Sequence, residues 1–166
     1  MNRPVRSFWR PVLWALVLAV LASTVVVAAT KGREWYTARQ VQQAQSEALA
    51  AGRQIAVNFA TLDYATVDED TARVKAAATG EFLESYTSSL ADLRKVVVAN
   101  KSTSRVERAE AGLVSGDRDS AQVIVGVVAP TSNTNIPQGE TKTYRLKLAL
   151  REVGGTWKVE RLEFVG

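Results

Sequence analysis

The run "PVLWALVLAVLASTVVVAAT", residues 11–30, holds twenty residues and no charge. As a helix it covers about 30 Å, the thickness of a bilayer's hydrocarbon core. A segment that is apolar all round must be covered on every side. That requirement constrains the chain more than any other feature it has. Arg3, Arg6 and Arg10 precede the run, with Trp9 and Trp14 near one end and Trp35 and Tyr36 beyond the other. Aromatic rings with a polar tip favour the membrane interface, and arginines favour the cytoplasmic side. Lys31 and Arg33 weaken that asymmetry without reversing it. The expectation is a basic cytoplasmic tail over residues 1–10, a transmembrane helix over 11–30, and an extracytoplasmic remainder. Such a chain is a single-pass protein of the cell membrane. The rival reading is a cleaved signal peptide, with "VAA" at 27–29 as the cleavage site. Signal h-regions usually run about 7–15 residues, so the longer run here is read as a retained anchor.

Composition removes several kinds of chemistry. The sequence has no cysteine and no histidine. Disulfides, thiol nucleophiles, imidazole bases and Cys/His zinc sites are therefore excluded. No metal and no cofactor is expected. The net charge of +4 is concentrated before the apolar run, and from Lys31 onward 18 basic residues face 17 acidic ones. Without a basic stripe interleaved with aromatics, nucleic acid is not an expected partner.

Residues 31–48 are rich in Gln and charge, with a thin apolar face of Val41, Ala44 and Ala48. They read as a helical stalk. The face strengthens through Leu49, Gly52, Ile55 and Phe59 at steps of three and four, which suits a helix. "TVDE" at 66–69 has the spacing of a capping box, with Asp68, Glu69 and Asp70 in the first turn of a short helix. The four carboxylates from Asp63 to Asp70 lack the central Gly and twelve-residue frame of an EF-hand. Capping is the expected role of "TVDE", not metal binding or catalysis. Phe82, Tyr86, Leu90, Leu93 and Val97 then form the stripe of a third helix, which Thr79 can cap.

After Asn100 the apolar period changes to two. Strands are expected over residues 103–114, 121–128, 141–152 and 157–165, with turns at "SGDRDS" and "VGGT". Tyr144, Leu146, Leu148 and Leu150 alternate with charged neighbours. The last strand begins with Trp157 and Val159 on one face and continues with Leu162 and Phe164. That change of parity predicts a bulge near Glu160–Arg161. Residues 129–140, "APTSNTNIPQGE", read as a long polar hairpin loop.

Helices followed by antiparallel strands make an α+β domain. The order resembles the NTF2-like (cystatin-like) fold and the VirB8-like periplasmic domains. That resemblance implies a cone of about three helices on a four-stranded antiparallel sheet over residues 49–166. "NFATLDYATVDEDTARVKAAATGEFLESY", "VVVANKS", "AEAGLVSGDRDSAQVIVGV", the 131–135 loop and the closing "GGTWKVERLEFV" carry a narrower likeness. This ordered combination resembles the Mce-associated membrane proteins of actinobacteria, over nearly the whole chain. The resemblance implies a non-catalytic, membrane-anchored accessory that supports assembly or stability of an Mce-type lipid-import complex, its expected protein partner. It brings no catalytic residues. The alternative is an NTF2-like module that binds a lipid or small apolar ligand, with Phe59, Tyr64, Tyr86 and Trp157 as candidate pocket lining. A steroid-isomerase-like enzyme is the third reading. Its best polar pair would be Asp63–Tyr64, but adjacent residues rarely converge on one atom.

Overall fold

The computed structural model describes residues 9–166, apart from the side chains of 10, 11 and 25–34. The chain divides into two compact units, one ending at Gln40 and the other comprising Val41–Gly166. One helix, α1 (Trp9–Ala60), contains the expected span, stalk and first domain helix without a break.

The expected transmembrane helix lies only in part within the described residues. Among the described residues, no helix is long and apolar enough to cross a membrane. Of residues 11–30, the described side chains are those of 12–24, fewer than the about twenty a bilayer requires. Arg3, Arg6 and the Arg10 side chain lie outside the described residues.

In the second unit, α1 presents a face of small residues to a sheet. Ala48 and Ala56 are fully buried and Ile55 nearly so. Gly52 is needed by close approach: a Cβ there would lie 3.1 Å from Val123 Cγ1 and 3.3 Å from Leu150 Cδ1. With so little bulk at positions 48, 52 and 56, the helix axis can come close to the strands.

Two shorter helices follow, α2 (Val67–Ala76) and α3 (Gly80–Ala99). Their link is pinned to the last strand, because Thr79 N–H donates to Val159 O at 2.8 Å and Val159 N–H to Ala77 O at 2.9 Å. Thr79 occupies the N-cap position of α3 in extended conformation, but its hydroxyl makes no cap bond. Lys101, at φ 48°, turns the chain out of α3 while Ser102 N–H bonds back to Val97 O. That is the closing geometry usually taken by glycine.

Among the described residues, six strands form one antiparallel sheet: β1 (Leu62–Asp63), β2 (Thr103–Ser104), β3 (Arg108–Gly116), β4 (Ser120–Asn133), β5 (Ile136–Val153) and β6 (Thr156–Phe164). Four were expected. The excess has two sources. The strand expected over 103–114 is split into β2 and β3, which pair with successive stretches of β4. Arg105 N–H to Pro130 O and Glu107 N–H to Val128 O carry the ladder across the break. The two-residue β1 then adds to β2.

The sheet's inner face follows the alternation. Val123, Val125, Val127, Leu148 and Val159 are fully buried, with Leu146, Leu150 and Trp157 beside them. The bulge lies where the parity change put it: Leu150 pairs with Val159 and Ala149 with Arg161, leaving Glu160 as the extra residue. The polar stretch 129–140 is not a loop. β4 and β5 stay paired through Thr131–Glu140 and turn only at Asn133–Ile136, where Asn133 Oδ1 accepts from the N–H groups of Asn135 and Ile136.

Candidate functional site

Two cavities meet where the C-terminal end of α1 crosses the sheet. The first, of about 230 Å³, is apolar. Phe59 and Ala60 enter from α1, Leu62 from β1, Tyr144 and Leu146 from β5 and Phe164 from β6. Tyr144 and Phe164 meet at 6.1 Å between ring centroids, and Phe164 lies 6.1 Å from Phe59. Phe164 nevertheless remains 63% exposed. Behind Phe59 the rings of Phe82 and Tyr86 stack at 5.6 Å. Rings at such separations support one another beyond simple area burial.

The second cavity is polar and larger, about 660 Å³, with Asp63, Thr66, Asp70, Arg73 and Arg105 among its lining. Leu62, Thr103, Ser104 and Thr131 belong to both cavities and form the wall between them. That wall is held from within the fold. Ser104 Oγ donates to Ala60 O at 2.8 Å, and the Thr103 and Ser132 hydroxyls share a 2.8 Å bond.

Asp70, only 3% exposed, organises the polar side. Its Oδ2 accepts from Asp63 N–H at 2.8 Å and from the Thr66 hydroxyl at 3.2 Å, while Oδ1 takes the Arg73 guanidinium. The capping box is thereby corrected. Thr66 occupies the N-cap position of α2, but its side chain makes no cap bond and instead reaches Asp70. The Asp70 carboxylate ties α2 to β1, seven residues upstream. Burial raises the Tyr86 phenol above its ordinary value, and the negative charge of Asp70 adds to that.

The expected site residues are distributed as follows. Phe59 lines the apolar cavity. Tyr86 touches the Phe59 ring from behind, at 6.4 Å between centroids. Tyr64 is exposed, and Trp157 is buried in the core. Trp9, Trp14, Trp35 and Tyr36 are exposed on α1, and the Arg39 guanidinium lies 3.7 Å from the Trp35 ring centroid. Tyr144, Phe164 and Arg105 were not singled out as site residues from sequence. They stand far apart in the chain, and only the register of β5 with β6 and of β2 with β4 assembles them. Among the described residues, no cluster of carboxylates could hold a metal ion.

This architecture is similar to three solved structures. The periplasmic domain of DotI matches with a TM-score of 0.56 at 10% identity, over 70% of this chain and 91% of that one. An IcmL-like type IV secretion system protein from Legionella pneumophila subsp. pneumophila str. Philadelphia 1 matches with 0.55 at 16% identity, over 70% and 88%. An Ntf2-like protein involved in plasmid conjugation matches with 0.50 at 11% identity, over 74% and 49%. The α+β fold is similar to that of NTF2-like periplasmic domains. Residues 12–166 match the family described as "Uncharacterized protein Rv1363c/MT1408-like", and the chain belongs to it. Rv1363c of Mycobacterium tuberculosis (strain ATCC 25618 / H37Rv) is 30% identical over 154 residues, 89% of this chain. The chain spans 59% of the length of that relative.

Proposed function

We propose that this chain is a membrane-anchored accessory protein with no turnover of its own, which stabilises or helps assemble a transport complex of the Mce lipid-import type. One observation carries the anchoring. Val12, Leu13, Trp14, Leu16, Val17, Leu18, Val20 and Leu21 are between 46% and 68% exposed on α1. A stretch that is apolar on all sides and has no protein cover is satisfied by lipid. The three arginines before it orient the N-terminus to the cytoplasm and the Val41–Gly166 unit to the outside.

The accessory role is supported by how the site's charges are used. Asp70 is fully engaged by groups of the fold itself, and the apolar cavity is lined by no carboxylate, lysine or arginine. A general base must reach a substrate proton, and neither the engaged Asp70 nor the apolar lining offers one. The likeness to domains named for type IV secretion and plasmid conjugation supports the same reading by fold analogy alone. The Mce assignment rests on the whole-chain resemblance. Tethering raises the local concentration of the domain near its partner, so a weak contact suffices.

The test is purification of the tagged full chain from detergent-solubilised native membranes, with identification of what accompanies it. Subunits of a lipid-import complex are expected, at constant ratio through a second column. Purified chain that turns over a steroid or acyl substrate, with loss in Asp63→Asn, would establish an enzyme instead.

A further inference from the structure

We propose that the two adjoining cavities form one binding site for a single-chain amphiphile with an anionic head. The chain lies among Phe59, Tyr144 and Phe164, and the head lies over Arg105. This site is independent of the anchor and of any partner complex.

The apolar half has the size for a chain. Its volume of about 230 Å³ exceeds the roughly 150 Å³ of a dry cavity that takes up benzene. Partial exposure of Phe164 leaves an entrance. Leu62, Thr103, Ser104 and Thr131 line both cavities, so a ligand lying along them passes directly from apolar to polar surroundings. A molecule that spans both must itself change polarity along its length.

The sign of the head follows from which polar groups remain unused. Formally, Arg73 and Arg105 balance Asp63 and Asp70 in the polar cavity. Their partners do not balance. Asp70 has both oxygens occupied, and Asp63 Oδ1 accepts from Ala65 N–H at 2.8 Å. The hydroxyls also donate inside the fold, Ser104 to Ala60 O and Thr131 to Ala129 O. Among the described residues, the Arg105 guanidinium has no hydrogen-bond or ion-pair partner, and Arg73 meets Asp70 through Nη2 alone. Against the one open oxygen of Asp63, Oδ2, stand the whole Arg105 guanidinium and most of that of Arg73, so the unused capacity is mainly cationic and donating, which suits a carboxylate or a phosphate.

The experiment uses the full chain held in amphipol, free of detergent. The probe is decanoic acid carrying a diazirine at its far end. Photolysis is expected to label peptides containing Phe59, Tyr144 or Phe164, and labels confined to residues 12–24 would overturn the site. Unlabelled competitors then measure the two halves separately. From hexanoate upward, each added methylene should improve competition about fourfold until the cavity is full, after which the gain stops. Decyl phosphate should compete as decanoate does, and the tighter of the two identifies the head chemistry. Arg105→Gln should weaken both about tenfold and leave decanol unchanged. Because Arg105 is exposed, an unaltered melting curve is expected for that variant. Decanol competing as well as decanoate, or Arg105→Gln binding like the parent, would contradict the anionic head. A flat chain-length series would contradict the apolar half.

Discussion

The two ends of α1 carry apolar residues in opposite arrangements. Between Ala48 and Phe59 the helix uses Ala48, Gly52, Ile55 and Ala56 to approach the sheet, and these residues are buried. The stripe is narrow, and its members meet Val123 and Leu150 across the gap or other core side chains. Between Val12 and Leu21 the same helix carries larger apolar residues on all sides, and they are exposed. Small residues on one face specify a protein neighbour at a fixed distance. Bulky residues on every face specify a solvent, and under the proposed anchoring that solvent is lipid.

The largest expected effect separates these two regions directly. Ile55→Ala should cost about 2–5 kcal/mol, the usual range for emptying a packed site. Leu18→Ala should stay within about 0.5 kcal/mol, as expected where no protein contact is lost. Urea unfolding of the full chain, followed by hydrogen exchange at the β4 and β5 amides, measures both. Equal losses would mean that residues 12–21 pack on protein, and the contrast would fail.

A smaller effect concerns what fixes the chain just beyond α1. Asp70→Ala leaves Asp63 N–H and the Thr66 hydroxyl without their acceptor, at a cost of about 1–3 kcal/mol. Glu69→Ala should change stability by less than about 0.5 kcal/mol. The reverse ranking in the same unfolding assay would restore the capping box.

The smallest effect is a dependence on pH. Tyr86, packed against Phe59, has its phenol raised by burial and then by Asp70. A raised phenol is neutral in the fold at a pH where the unfolded chain has begun to ionise. Its contribution is therefore complete below about pH 10, the ordinary phenol value, and is lost as pH rises through the folded value. Unfolding midpoints should fall above about pH 10, and Tyr86→Phe should make that fall shallower. Identical slopes for the two proteins would contradict the assignment to Tyr86.

Much of the fold was legible because the core imposes a period. Leu146, Leu148 and Leu150 alternate since one face of β5 is buried, and the parity change from Val159 to Leu162 marks the bulge at Glu160. The arm formed by the ends of β4 and β5 was missed for the converse reason. Past Ala129 its residues are half-buried or exposed, so no buried face demands alternation. Thr66 was misassigned because "TVDE" is a local pattern, whereas its hydroxyl joins Asp63 N–H, from across a turn, on the Asp70 carboxylate. The cavities were the least legible part. Phe59, Leu62, Ser104, Tyr144 and Phe164 come from five elements, and no spacing in the chain links them.

The central claim is that lipid covers residues 12–21 while the Val41–Gly166 unit folds on its own core. Alkaline carbonate extraction of native membranes tests it most directly, with the full chain compared with a variant carrying Leu16→Arg and Leu18→Arg. The account predicts that the full chain stays in the membrane pellet and that the variant is released with its β4 and β5 amides still protected. Release of the unaltered chain into the supernatant would contradict it.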